Sequence, residues 1–126
     1  MRISWALAAA VALAAAPLAA FSAAGPAGLI SEAASYPNPF DARTGATKLR
    51  WTLGADAAVE LSVFTVYGAR VWTRSFPAGA AGARAGVNEA AWDGTDAAGR
   101  KVSKGLYLAV VRAGGERAVV KVGVRH

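Results

Sequence analysis

The sequence predicts an all-β domain built as an antiparallel β-sandwich of about seven strands, and three observations support this. Apolar and polar residues alternate with a period of two over much of the chain beyond residue 48. Gly, Pro and Asp interrupt these runs at short intervals, and no segment after residue 24 shows the period of an amphipathic helix. The chain has 126 residues, of which 55% are hydrophobic and 17% charged, so one packed core is expected.

The first 24 residues are typical of a secretory signal peptide that precedes this domain. Arg2 supplies a short positive region, an Ala/Leu/Val run follows it, and small residues come next. Cleavage after Ala24 is favoured and cleavage after Ser22 is the alternative, while an uncleaved membrane anchor is a second interpretation of the run. We therefore expect a secreted protein, periplasmic, on the cell surface or extracellular, with no membrane contact after cleavage.

The mature chain divides into two predicted segments. Residues 25–34 predict a linker or a weak first strand, and residues 35–126 form the predicted sandwich. Leu49, Trp51 and Leu53 alternate with polar residues, which is typical of a half-buried strand. Two further β-rich runs are joined at Gly68, where the chain can take a positive φ and fold back.

The second half of the chain begins with residues 77–86, which are rich in alanine and glycine and predict a flexible loop with nothing to pack. A strand follows over residues 87–92. Residues 106–111 are apolar on both faces and predict a central strand, which Gly114-Gly115 joins to a final alternating strand. This spacing is typical of an immunoglobulin-like sandwich. Its expected large core residues are Trp51, Trp92 and Tyr107.

The residue types argue against an enzyme. The chain has no cysteine and one histidine, His126, so a thiol nucleophile, a disulfide framework, a zinc cluster and a catalytic triad are all excluded. Asp93 and Asp96 could be read as an acid–base pair or as calcium ligands, but capping of a turn is favoured because calcium needs more oxygens. We expect no catalytic residue, no metal and no cofactor.

The chain is basic, with 14 Lys and Arg against 8 Asp and Glu. Arg117, Lys121 and Arg125 share one face of the last strand, but the other cations are scattered, so a solvated face is favoured and no nucleic acid partner is expected. Trp72 is ambiguous. Packing between the sheets is favoured for it, and an exposed ring that stacks on a sugar is the alternative.

Three segments in order carry a family resemblance: SYPNPF from Ser35, VELSVFTVYGARV from Val59, and WDGTDAAGRKVSKGLY from Trp92. Together they resemble the FlgD/Vpr immunoglobulin-like domain family and, more loosely, the C-terminal sorting domains of type IX secretion. Family members usually carry an acidic residue where this chain has Thr65, and an arginine where it has Ala69. The residues singled out by these motifs and their turns are Tyr36, Pro37, Asn38, Pro39, Phe40, Gly68, Trp92, Asp93, Gly94, Gly99, Gly105 and Tyr107.

Physical chemistry gives these motif residues folding roles. The prolines are expected to hold an extended stretch at a sheet edge, with Phe40 tucked under the sandwich. The Asp93 carboxylate is expected to accept N–H bonds in a turn that Gly94 permits, and Gly105 to allow a bulge or a close approach.

The resemblance implies a secreted, non-enzymatic interaction or structural module whose partner is a protein or a cell-surface or export component. A sorting domain read by an export machine is one alternative, and a carbohydrate-binding surface module is another.

Overall fold

The computed structural model describes residues 28–126, and the predicted signal peptide lies outside this range. All regular secondary structure in the described range is β-strand, which confirms the predicted fold class. The strands are β1 (Ile30–Tyr36), β2 (Phe40–Asp41), β3 (Thr47–Leu53), β4 (Val59–Thr65), β5 (Arg70–Phe76), β6 (Gly86–Trp92), β7 (Gly105–Ala113) and β8 (Glu116–Arg125). Residues 28–126 offer no helical segment of membrane-spanning length and hydropathy.

The strands form two sheets. One sheet has five strands in the order β2-β8-β7-β4-β5, and the other has three in the order β1-β3-β6. Neighbouring strands are antiparallel except for β2, which pairs with the end of β8 in parallel register. The doubly apolar strand β7 lies at the centre of the larger sheet, as its sequence predicts.

The core lies between the sheets and is built on aromatic rings. Trp92 contacts Phe40 and Tyr107 with centroids 5.8 Å away in each case, and Trp72 at 6.4 Å. Trp51 packs against Phe76 with centroids 6.1 Å apart. Each such ring buries about 150–250 Å², so the aromatic residues of both sheets dominate the packing energy.

Strand β1 begins at Ile30, inside the segment predicted as a linker or a weak first strand, and residues 25–27 of that segment lie outside the described range. The structure corrects the predicted loop over residues 77–86. The loop was predicted to pack against nothing, but Ala83 in it is fully buried, and its carbonyl accepts bonds from the N–H groups of Ala57 and Gly79. Small side chains allow this close approach. A Cβ at Gly82 would lie 2.6 Å from the Phe76 ring.

Candidate interaction surface

The Tyr36–Phe40 motif links the two sheets. Phe40 is buried against Trp92, as predicted, whereas the Tyr36 ring is 80% exposed. The motif does not continue the edge strand: β1 ends at Tyr36, residues 37–39 form bends, and the peptide bonds before both prolines are cis. The Pro37 carbonyl accepts a bond from the Thr47 hydroxyl at 2.8 Å.

The Asn38 side chain bonds the edge of β8, a contact that was not predicted. Its side-chain amide donates to the Lys121 carbonyl at 2.6 Å, and its carbonyl oxygen accepts the Gly123 N–H at 2.8 Å. One side chain thus pairs with β8 as a neighbouring strand would. Pro39 covers Gly123 so closely that a Cβ there would lie 2.9 Å from it, and β2 then continues the pairing.

The loop after Trp92 is a set of capped turns, as the sequence predicts. The Asp93 carboxylate accepts bonds from the N–H and hydroxyl of Thr95, and the hydroxyl bond contributes most to lowering the pKa of Asp93. Asp96 accepts the N–H groups of Ala98 and Arg100, and the Arg100 bond is the main cause of its lowered pKa. Both carboxylates are therefore occupied in holding the backbone.

The remaining motif residues also serve the fold. The Trp92 indole N–H donates to the Thr95 carbonyl at 2.9 Å, and the Tyr107 hydroxyl donates to the Ser103 carbonyl at 2.6 Å. Gly94 has φ +83, and a Cβ there would lie 2.8 Å from the Ala42 side chain. Positive φ values are also found at Gly68, Gly99 and Gly105. Gly105 differs from its predicted role, because no register shift occurs there and open space surrounds its Cβ position.

The turn between β4 and β5 is capped by the Thr65 side chain. Its hydroxyl accepts the N–H groups of Tyr67 at 3.3 Å and Ala69 at 3.2 Å. A hydroxyl oxygen can thus cap the same turn without a charge. Trp72, farther along β5, lies partly buried against Trp92, so the packing interpretation of this ring is the one observed.

The surface of the larger sheet has an apolar centre with cations around it. We call the outward side chains of Phe64, Leu108, Val110, Val119, Arg112, Arg117 and Lys121 the β4–β7–β8 face. In the strand register Val110 pairs with Val119, and Phe64 and Lys121 both pair with Leu108. A concavity of about 380 Å³ lies over this centre and is lined by both arginines. A second concavity of about 840 Å³ begins at the same arginines and extends over the β7–β8 turn.

Arg112 and Arg117 lie directly opposite each other in the β7–β8 register, and both are exposed. Like charges in this position repel and destabilise a sheet. The carboxylate nearest in register is Glu60, but its ion pair is with Arg70 at 3.6 Å. Among residues 28–126 neither arginine forms an ion pair. Glu60 is the one carboxylate opposite Arg112 in register, so the cations of this face, Arg112, Arg117 and Lys121, outnumber the carboxylates beside them.

On the surface of the smaller sheet, an arginine lies opposite a glutamate and is paired with it. Arg50 on β3 is paired in register with Glu89 on β6, and its Nε and Nη2 atoms donate to one carboxylate oxygen at 3.0 and 2.8 Å. Thr52 on the same face donates to Glu32 at 3.3 Å. Arg50 and Thr52 of this face thus have acidic partners on neighbouring strands, while Lys48 on the same face forms no ion pair within residues 28–126.

The alternation along β8 predicts that Arg117, Lys121 and Arg125 share one face, but the prediction did not include Arg112 opposite Arg117. The length of the hairpin turn could have shown it, because the two-residue Gly114-Gly115 turn pairs Ala113 with Glu116 and therefore Arg112 with Arg117. No group of three or more metal-binding side chains occurs in the described part of the chain.

Comparison with solved structures shows a shared fold. The chain is similar to part of PorZ, described as an essential bacterial surface component of the type IX secretion system of Porphyromonas gingivalis, with TM-score 0.53, 16% identity, and 75% of this chain and 11% of that chain covered. It is also similar to part of dimeric latent PorU from the same organism, with TM-score 0.56, 23% identity, and 82% and 10% covered. The chain thus corresponds to about a tenth of each. No family model and no curated protein matches it.

Proposed function

We propose that this chain is a secreted, non-enzymatic interaction domain that docks on a protein component of a type IX secretion apparatus at the bacterial surface. The observation that carries the proposal is the fold shared with parts of PorZ and PorU, the first of which is described as a surface component of that system. The sequence resemblance to type IX sorting domains and the predicted signal peptide support it independently.

The chemistry of the described residues supports a role in binding rather than in reaction. The carboxylates of Asp93 and Asp96 are bound to backbone N–H groups in turns, and the carboxylates of Asp41 and Glu89 are paired with arginines. Affinity for a protein partner needs only a complementary surface or a free strand edge.

The two edges of the larger sheet differ in how fully their backbone groups are paired. Strand β2 pairs with the end of β8, Asn38 bonds the adjoining part of it, and Glu116 accepts the N–H groups of Leu29 and Ile30. On the opposite edge, the Val71 carbonyl of β5 accepts a bond from Ala97. Backbone groups farther along β5 have no backbone partner on that side among residues 28–126, so strand addition at β5 is a second route to a partner.

The test is to produce the full chain in a bacterium that has type IX secretion and in a matched strain that lacks the apparatus. Cell fractions are then assayed, and the recovered species are sequenced from the N-terminus. We expect the processed chain at the cell surface or in the medium of the first strain and in the periplasm of the second. A periplasmic marker protein controls for leakage.

Equal distribution in the two strains would contradict the proposal and favour a structural module of the FlgD/Vpr type, which does not depend on that apparatus. Recovery of the uncleaved chain in the membrane fraction would contradict the secretory part. Deleting β8 is not a suitable test of sorting, because Val122 and Val124 on its inner face are buried in the core. Point variants of surface residues are needed instead.

A further inference from the structure

The β4–β7–β8 face has an unsatisfied charge that the fold itself does not use. Arg112 and Arg117 lie opposite each other across the β7–β8 pair, and neither forms an ion pair within residues 28–126, since Glu60, which lies opposite Arg112 on β4, is paired with Arg70. A like-charge pair of this kind destabilises the free domain. A carboxylate brought by another molecule would relieve the repulsion and form charge-assisted hydrogen bonds with both guanidinium groups.

The order of side chains along β8 defines what would fit. Arg117, Val119 and Lys121 follow one another on the outer face, so cation, apolar group and cation repeat with the two-residue period of a strand. Successive members are about 7 Å apart because a strand rises about 3.4 Å per residue. An extended segment aligned over this face presents its own side chains at the same spacing.

We propose that the β4–β7–β8 face binds an extended segment of a partner protein that carries carboxylates at positions i and i+4 and an apolar residue at i+2. The first carboxylate contacts Arg112 and Arg117, the apolar residue lies over Val119 and Val110, and the second carboxylate contacts Lys121. This inference rests on the proposed function and specifies both the acidic motif of the partner and the face of the domain that binds it.

Two other occupants fit the face less well. A second copy of the chain docked face to face would bring arginines against arginines, and like charges at an interface oppose association. An anionic lipid surface requires apolar side chains that project beyond the cations into the bilayer. Here Val119 is 52% exposed, but Val110 is only 9% exposed and Phe64 and Leu108 are partly buried, so the face offers little apolar surface for insertion.

The experiment measures binding of a labelled synthetic peptide, which carries one copy of Asp-Ser-Val-Ser-Asp between glycines, to the purified protein by fluorescence anisotropy at low salt. The variant combines Arg112→Gln with Arg117→Gln. The matched control combines Lys48→Gln with Lys104→Gln, which removes the same charge from exposed residues outside this face. Circular dichroism and thermal unfolding check that both variants remain folded.

We expect the Arg112/Arg117 variant to bind the peptide about tenfold more weakly than the wild type, which corresponds to about 1.4 kcal/mol, and the control to bind nearly as the wild type does. A peptide of the same composition in which the two aspartates are adjacent should bind more weakly than the periodic one. Val119→Ser should weaken binding with no change in net charge.

Equal loss in both double variants would overturn the inference, since it would show attraction to net charge alone. Equal binding of the periodic and rearranged peptides, or no binding by the wild type, would do the same. Binding to phosphatidylglycerol vesicles without binding to the peptide would assign the face to lipid instead. Because export is measured separately in strains with and without the secretion apparatus, apparatus-dependent export with no peptide binding would remove this inference and leave the proposed function standing.

Discussion

The two outer faces of the sandwich differ in the signs of the charges that their strands place opposite each other. On the smaller sheet Arg50 and Glu89 lie opposite each other and form a direct ion pair. On the larger sheet Arg112 and Arg117 occupy the equivalent cross-strand relation with the same sign of charge. The first arrangement is what a face exposed to water alone requires, and the second is unfavourable unless something else binds it. This contrast locates the candidate surface.

Both sheets should unfold as one cooperative unit, because Trp92 packs between them. Trp92→Ala removes its contacts with Phe40, Trp72 and Tyr107 and should destabilise the domain by about 3–5 kcal/mol. Urea unfolding followed by circular dichroism and by fluorescence of the remaining tryptophans should give a single shared transition. Two separate transitions would show that the sheets unfold independently.

Acid sensitivity should arise from turns and strand ends rather than from either face. A hydrogen bond from the Arg43 side chain is the main cause that lowers the pKa of Asp41 from 3.8 to about 2, and the pKa values of Asp93 and Asp96 are also lowered. A lowered folded-state pKa contributes stability above the unfolded value, and this contribution is lost as the pH falls through the folded value.

The free energy of unfolding should therefore fall as the pH is lowered from about 4 towards 2, with little dependence from this source at neutral pH. Urea unfolding at a series of pH values measures it. Asp93→Asn should be less stable at neutral pH and should show a shallower decline in acid. An undiminished slope in this variant would argue against the role assigned to the Asp93 cap.

Asn38 tests how far the β8 edge depends on one side chain. Asn38→Ala leaves the Lys121 carbonyl and the Gly123 N–H without that partner and should cost about 1 kcal/mol. Asn38→Asp keeps an acceptor for Gly123 but removes the donor to Lys121, so an intermediate loss is expected. Amide exchange at Gly123 should rise in the alanine variant, and unchanged exchange would contradict the assignment.

The smallest effect distinguishes the two faces most sharply. Arg50→Gln should destabilise the domain by about 0.2–1 kcal/mol, because it breaks an exposed ion pair. Arg117→Gln should leave stability unchanged or raise it slightly, because it removes a cross-strand repulsion. Equal destabilisation by the two changes in chemical unfolding would mean that Arg117 has a stabilising partner in the fold.

Local pattern predicted the fold but not the contacts made across it. Alternation and the Gly114-Gly115 turn were sufficient to predict β7 and β8, since both depend on neighbouring residues. The two-residue strand β2 has no period to detect, and its pairing with β8 joins residues far apart in the sequence. The burial of Ala83 is not predictable from sequence, because a loop of small residues has no periodicity that would indicate which of them packs against the core.

The candidate surface was predictable only in part. A basic face on β8 was evident, but without its register against β7 it was interpreted as a solvated face. What makes this face distinctive is that Arg112 meets Arg117 while Glu60 is held by Arg70. That relation depends on four strands at once, β4, β5, β7 and β8, so composition and periodicity along one strand could not show it.

Methyl NMR of valine and leucine during titration with the aspartate–valine peptide tests the central claim most directly. Val119 and Val110 report on the β4–β7–β8 face, and Val87, which is 63% exposed on the smaller sheet, is a control within the same molecule. We expect saturable shifts at Val110, Val119 and Leu108, with Val87 unmoved. Shifts at Val87 with Val110 and Val119 unchanged would contradict it.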